Sequence, residues 1–135
     1  MMRLRQHSPP EKLPLTLMNI PAGPPSPADD PHIEDRIDLT EYLAPHPDRS
    51  FLIRVEGESM IDLGIFPNDL LVVEREVEAK NGDVVVALIS GEFTVKQFRR
   101  SRGSLCLVPA NNNCPAFREQ DFSIWGVVRF ALHKL

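Results

Sequence analysis

One serine and one lysine stand where their side chains could act together on a peptide bond. Ser59 follows a strand-like segment and Gly57, and a glycine at a strand end permits a sharp backbone turn. Lys96 lies among apolar residues in the segment 93–98. Burial disfavours the charged form of an amine, and a neutral amine beside a serine hydroxyl can act as a general base. Ser–Lys is a known arrangement for nucleophilic catalysis, so the two residues are candidates for this chemistry.

Each of these residues also has an ordinary explanation when it is taken alone. Serine is common in turns, and a lysine on an edge strand can extend its ammonium group into water over an apolar stem. A Ser-His-Asp triad is less favoured, because no G-x-S-x-G motif is present and no histidine lies in a core-strand segment. The cysteine and histidine spacings match no metal-ligand pattern, and no glycine-rich phosphate loop occurs. The sequence predicts neither a metal nor a cofactor.

The elements that must hold Ser59 and Lys96 are predicted to be strands. Alternation within 93–98 places Thr94 and Lys96 on the same face of a strand. Ser90-Gly91 predicts a tight two-residue hairpin, and Asp38 with Glu41 resembles a capping box for one short helix. The predicted fold is mainly β, a partly open barrel or packed small sheets. Six segments rich in Val, Ile, Leu or Phe predict the strands: 51–56, 69–75, 83–89, 92–98, 104–108 and 122–132.

The N-terminal part of the chain has a different composition. Eight of the thirteen prolines lie in residues 1–31. Proline fixes φ and removes a hydrogen-bond donor, so this segment is expected to stay out of helices and sheets. The sequence predicts a flexible arm over residues 1–32 and a β-rich domain over residues 33–135, and exposed arms are frequent sites of proteolysis.

Charge and apolar content exclude several other classes. The net charge of -4 argues against bulk attraction to nucleic acid. Two cysteines do not make a disulfide framework. The sequence has neither a signal peptide nor the roughly 20 apolar residues of a membrane span. The expectation is a cytoplasmic protein that does not contact a membrane.

The segment over about residues 51–129 resembles the catalytic domain of the LexA/UmuD self-cleaving peptidases, in both the order and the spacing of six short motifs. Asn68 departs from the glycine usual in relatives, but asparagine tolerates a left-handed backbone, so the turn is expected to form. The motifs are residues 57–65, 68–73, 82–85, 94–96, 107–111 and 125–128.

The resemblance implies a set of roles for particular residues. Ser59 is the nucleophile and Lys96 the general base, with Thr94 aiming the lysine amine. The backbone N–H groups of Glu58 and Ser59 form the oxyanion hole. Relatives cut after a small residue and before glycine, which places the cleavage site at Ala22 and Gly23, two residues after the branched, apolar Ile20.

The resemblance also implies partners. Only 22 residues precede the cut, too few for the winged helix-turn-helix of a repressor, so the chain resembles the UmuD type and no direct sequence-specific DNA binding is expected. In that type a RecA–single-stranded DNA filament promotes cleavage during the SOS response to DNA damage. The shortened homodimer then joins a UmuC-type Y-family polymerase for translesion synthesis.

Two other functions remain open at this point. The chain could be a non-enzymatic dimeric interaction module that regulates a polymerase, with the dyad kept only as structure. It could also act on other proteins as signal peptidases do, although those enzymes use a membrane anchor that this sequence lacks.

Pro21, which cannot donate a backbone hydrogen bond next to the cut, affects the expected rate of cleavage.

Overall fold

The computed structural model describes residues 11–16, 19–25, 27–28, 32–58, 60–101, 104–108, 117–118 and 121–135, without the side chains between 101 and 120. Ser59 lies outside the described residues. The chain divides into two compact units, Met1–Tyr42 and Leu43–Leu135. The flexibility of an arm over residues 1–32 stays a prediction.

The first unit contains a two-stranded antiparallel sheet that the proline content did not predict. β1 (Leu13–Thr16) pairs with β2 (Ile33–Ile37), and the register is irregular between Leu15 and Thr16. The expectation that residues 1–31 stay out of sheets is therefore wrong for β1. In a two-stranded sheet both strands are edges, so Pro14 can pair without supplying a donor to a further strand.

One short helix follows, as the sequence predicts. α1 spans Leu39–Leu43, and the Asp38 carboxylate accepts hydrogen bonds from the backbone N–H groups of Thr40 (3.0 Å) and Glu41 (3.3 Å). These bonds satisfy donors that have no partner within the first turn of a helix. None of the helices in the described residues is long and apolar enough to cross a membrane.

The second unit is built on a seven-stranded antiparallel sheet, which confirms the predicted mainly β fold. The strand order is β3-β4-β9-β5-β6-β7-β8, and its two ends do not pair, so the sheet is open rather than a closed barrel. All six predicted strands are present, and the structure adds the short β8. Two 3-10 helices, Pro47–Arg49 and Ile61–Leu63, flank β3. The strands are β3 (Ser50–Arg54), β4 (Leu70–Glu74), β5 (Val84–Ile89), β6 (Glu92–Ser101), β7 (Ser104–Val108), β8 (Phe117–Arg118) and β9 (Ser123–Leu132).

The predicted two-residue hairpin joins β5 to β6. Ile89 pairs with Glu92, and both loop residues have positive φ, 50° at Ser90 and 81° at Gly91. Two positive φ values are the signature of the turn that matches the twist of antiparallel strands. This hairpin fixes the register of β6 against β5, and hence the position of Lys96.

The core consists of two clusters on opposite faces of the sheet. β5 contributes to both, because Val86 packs in one cluster while Val85 and Ala87 pack in the other. The first cluster contains Val55, Met60, Ile65, Leu71, Val73 and Val86, and the second contains Ala79, Val85, Ala87, Phe98 and Val127.

Candidate active site

A groove of about 410 Å³ opens on the face of the first cluster. Its lining is largely apolar and includes Ile53, Val55, Val86 and Val95. One end is formed by the turn that follows β3, where Gly57 and Met60 reach the groove. A concave apolar site with a few polar groups at one end is the usual form of a binding pocket.

Aromatic side chains form part of the groove wall, and Trp125 is the best anchored of them. Its ring lies 5.5 Å from that of Phe51 and 5.8 Å from that of Phe93, measured between centroids. The Arg75 guanidinium lies 4.3 Å from the Trp125 ring centroid, and Arg75 Nε donates to the Trp125 carbonyl oxygen at 3.2 Å. A cation over the ring face is attracted by the negative face of the π system. Trp125 is therefore held in the groove wall by the neighbouring aromatic rings and by Arg75.

The turn that carries position 59 is anchored on both sides of that residue. Before it, the chain reverses at Gly57, which has φ of 85°. After it, Met60 is buried, and its carbonyl oxygen accepts hydrogen bonds from the N–H groups of Leu63 (3.0 Å) and Ile65 (3.2 Å). Glu58 is exposed, and its carbonyl oxygen accepts a bond from the Ile61 N–H at 3.3 Å. Gly57 and Met60, the described residues of this turn that line the groove, are thus held in place.

The turn before β4 supports the same segment. Asn68 has φ of 72°, which confirms that asparagine takes the left-handed conformation there. The Val55 N–H donates to the Asp69 carbonyl oxygen, and the Asn68 N–H donates to that of Val55, both at 2.9 Å. These bonds connect the end of β3 to the start of β4.

Asp69 is a buried carboxylate that the sequence did not single out. Its Oδ2 accepts a hydrogen bond from the Phe66 backbone N–H at 2.9 Å, and His133 Nδ1 lies 2.7 Å from its Oδ1. The bond from Phe66 lowers the pKa of Asp69 below its ordinary 3.8; burial opposes this, and His133 lowers the pKa further. With 64 positions between the two side chains, no local pattern could have revealed the pair.

Lys96 lies in an interior strand and is buried. β6 runs between β5 and β7, so the explanation of a lysine on an edge strand is wrong. Lys96 pairs with Val85, is 7% exposed, and shares its face with Phe98 of the second cluster. The predicted strand and the shared face of Thr94 and Lys96 are both confirmed by the register, because Thr94 pairs with Ala87.

The groove brings together some of the predicted site residues. Thr94 of the site prediction and its neighbour Val95, the two residues before Lys96, line the groove together with Gly57 and Met60, whereas Lys96 is not among the lining residues. Because Ser59 is outside the described residues, its pairing with Lys96 stays a prediction. In the described part of the chain, no three His, Cys, Asp or Glu side chains lie close enough to hold a metal ion.

The predicted cleavage site lies in an exposed bend of the first unit. Ala22 and Gly23 are both exposed, and Ile20 is 76% exposed. No atom lies within 4 Å of the position that a Cβ on Gly23 would occupy. The peptide bond between Ala22 and Gly23 is therefore open to attack from solvent.

Comparison with known proteins gives consistent matches along nearly the whole chain. The family model described as Peptidase S24-like matches residues 14–129. Protein SamA of Salmonella typhimurium is 37% identical over 121 residues, which cover 90% of this chain and 85% of SamA. Protein MucA of Salmonella typhimurium is 40% identical over 124 residues, covering 89% and 84% of the two chains. The LexA repressor of Caldicellulosiruptor saccharolyticus is 45% identical over 97 residues, which cover 72% of this chain and 48% of the repressor.

Proposed function

The chain belongs to the Peptidase S24-like family, and we propose from this membership that it is a self-cleaving serine peptidase that hydrolyses its own Ala22–Gly23 bond. Ser59 is the nucleophile and Lys96 the general base. The observation that carries the proposal is the burial of Lys96 in an interior strand, two residues after Thr94, which lines the groove together with Gly57 and Met60 from either side of position 59. The match to a LexA repressor agrees with the resemblance found in the sequence motifs.

The reaction proceeds in two steps of acyl transfer. The Ser59 Oγ attacks the Ala22 carbonyl carbon while the neutral Lys96 amine takes the hydroxyl proton. The tetrahedral intermediate expels the Gly23 amine, which receives that proton from Lys96, and an ester between Ser59 and Ala22 remains. Water then attacks the ester, giving its proton to Lys96, and the collapse of this intermediate frees the Ala22 carboxyl group and restores the Ser59 hydroxyl.

The burial of Lys96 supports its assignment as the base. Burying an amine costs free energy unless a partner replaces its contacts with water, so a buried lysine usually has a specific role. Lys96 is nevertheless 7% exposed, paired with the fully buried Val85 on a face that also carries Phe98 of the second cluster. Thr94 shares this face two residues earlier in β6, and we propose that it aims the amine.

The groove also suits the segment that is to be cut. Ile20 is an apolar side chain exposed to water, and Val55, Val86 and Val95 offer it an apolar surface. The small side chains of Ala22 and Gly23 let the peptide backbone approach the nucleophile closely. The oxyanion that forms on Ala22 would be stabilised by the backbone N–H groups of Glu58 and Ser59.

The biological setting follows from the same resemblance. The chain acts in the cytoplasm in the SOS response, where a RecA–single-stranded DNA filament raises the population of the docked arm. The shortened homodimer then serves as an accessory subunit of a UmuC-type translesion polymerase.

The test is the intact mass of purified protein incubated at pH 7 and at pH 10, with and without a RecA filament. We expect a new fragment beginning at Gly23, formed faster at pH 10, because a general base accepts a proton only in its unprotonated form, and faster with the filament. Ser59→Ala and Lys96→Ala should give none, while Lys134→Ala, which removes an exposed lysine, should cleave like the parent chain. Full-length mass in every tube, with the fold intact, would instead support the non-enzymatic interaction module.

A further inference from the structure

Three aromatic side chains meet beside the groove, although they come from three different strands of the large sheet. Phe51 lies in β3, Phe93 in β6 and Trp125 in β9. The Trp125 ring contacts both of the others, with its centroid 5.5 Å from that of Phe51 and 5.8 Å from that of Phe93. Phe93 and Trp125 also line the groove. We call Phe51, Phe93 and Trp125 the aromatic wall.

The rings of the aromatic wall do not stack flat on one another. The plane of Trp125 makes an angle of 57° with that of Phe51 and 79° with that of Phe93. Phe93 is 63% exposed and Phe51 is 47% exposed, so both keep apolar surface in contact with water. Rings that meet at steep angles leave hollows between them, and a compact apolar ring can occupy such a hollow.

The aromatic wall is ordered before any ligand binds. Arg75 holds Trp125 through a hydrogen bond to its carbonyl oxygen and a contact with its ring. Phe93 follows the Ser90-Gly91 hairpin, whose register places it opposite Leu88. A site that is already ordered loses little conformational freedom on binding. A ligand that removes the two exposed phenylalanine rings from water therefore gains the free energy of apolar burial.

The segment that follows the predicted cut is rich in proline. Residues 24–27 read Pro-Pro-Ser-Pro, and the three prolines are exposed and belong to neither a helix nor a strand. A polyproline II helix has three residues per turn and rises about 3.1 Å per residue, so in that conformation Pro24 and Pro27 face the same side about 9 Å apart. Segments with this spacing dock into grooves lined by aromatic rings.

We infer that the aromatic wall is a binding subsite for prolines on the carboxyl side of the bond that is cut. Pro24 and Pro27 are the prolines that it takes from this chain, while the aliphatic part of the groove takes Ile20. The role of the wall in cleavage rests on the proposed function, whereas its binding of a proline-rich peptide does not. The substrate class of the groove is then an extended segment with prolines after the cut.

An extended segment suits the aromatic wall better than a second copy of the chain does. A stable interface between two proteins buries about 800 Å² on each partner. An aromatic side chain buries at most about 250 Å², and Phe51 and Phe93 are already partly covered. The exposed Leu52 lies on the opposite face of β3 from Phe51, so it does not extend the wall. The exposed apolar surface is therefore the size of a narrow ligand.

The test uses Trp125, the single tryptophan of the chain, as its reporter. A peptide with the sequence of residues 20–28 is titrated into full-length Ser59→Ala protein that also carries Pro24→Ala/Pro25→Ala/Pro27→Ala, so that its own segment does not compete. We expect a saturable change in Trp125 emission. The same peptide with alanine at those three prolines should bind about 10-fold more weakly.

Substitutions at Phe93 test the wall itself. Phe93→Ala should weaken binding of the proline-rich peptide about 5- to 10-fold, whereas Phe93→Tyr, which keeps the ring, should stay within about threefold. The matched control is Leu52→Ala, which removes an exposed apolar side chain from the opposite face of β3 and should change the affinity less than about twofold. Each variant is first compared with its parent by thermal unfolding.

Three results would overturn the inference. They are equal binding of the alanine peptide, an unchanged affinity in Phe93→Ala, and an equal loss in Leu52→Ala. Sedimentation gives a further check, because a dimer that Phe93→Ala converts into a monomer without weakening the peptide would assign the wall to contacts between copies. Peptide binding by a chain that never cuts itself would support the wall and reject the proposed function, and self-cleavage without peptide binding would do the reverse.

Discussion

The two sheets of this protein are stabilised in different ways. The seven-stranded sheet buries both faces of its central strands, so that Leu71, Val73 and Val85 have no exposed surface. The β1–β2 sheet has no buried residue, and Leu13 and Ile33 are each more than half exposed. The larger sheet gains most of its stability from apolar burial, whereas the smaller one depends on its backbone hydrogen bonds. Low burial is typical of segments that open locally, so the smaller sheet should open at a lower free energy than the larger one.

Replacing a leucine with alanine should give the largest difference in stability between the two sheets. Leu71→Ala removes a fully buried side chain from β4, and we expect the free energy of unfolding to fall by about 3 kcal/mol. Leu13→Ala removes a side chain that is 55% exposed, and the change should be under about 0.5 kcal/mol. Urea unfolding followed by Trp125 fluorescence measures both. Equal losses would mean that the small sheet contributes to the core after all.

The next largest difference in stability is expected between replacing a buried carboxylate of the large sheet and replacing an exposed one of the small sheet. Glu74 is buried in β4, where its Oε2 and Oε1 accept bonds from Arg49 Nε at 2.9 Å and Arg129 Nε at 3.0 Å. Burial would raise the pKa of Glu74, but the hydrogen bonds and charges of the two arginines outweigh it, and the pKa lies below its ordinary 4.5. A depressed pKa means that the carboxylate stabilises the fold above pH 4.5 and loses this effect as the pH falls through the folded-state pKa.

We therefore expect Glu74→Gln to lower the free energy of unfolding at pH 7 by about 2 kcal/mol, because two hydrogen bonds to a charged acceptor are weakened while both arginines are partly screened by water. The difference from the parent chain should shrink as the pH is lowered below 4.5. Glu34→Gln, at an exposed position of β2, should change the free energy of unfolding by less than about 0.5 kcal/mol. Urea titrations between pH 3 and pH 7 provide the measurement, and a pH-independent difference would argue against the two ion pairs.

Sequence reasoning succeeded where side-chain alternation and burial coincide. The segment 92–98 shows a lysine between apolar neighbours, and that pattern was enough to place Thr94 and Lys96 on one face of a strand. Only the structure showed that this strand is an interior one. It failed for β1, because the cost of Pro14 depends on whether a further strand needs its missing N–H, which is a property of the sheet and not of the residue. Contacts such as Asp69 with His133 and Glu74 with Arg129 could not be predicted either, since they join residues far apart in the sequence.

The smallest difference in stability is expected from replacing one glycine in the large sheet and one in the exposed bend of the first unit. In β9, a Cβ at Gly126 would lie 2.6 Å from Val73 Cγ1 and 3.0 Å from the Glu74 carbonyl oxygen. Val73 has no exposed surface, so it has little room to move away, and Gly126→Ala should lower the free energy of unfolding by about 1 kcal/mol through crowding between β4 and β9. At Gly23 a Cβ meets nothing within 4 Å, so Gly23→Ala should leave stability unchanged within about 0.5 kcal/mol. Thermal unfolding of the two variants in the Ser59→Ala background separates packing from cleavage. A loss at Gly23 as large as that at Gly126 would mean that the exposed bend is packed as tightly as the sheet.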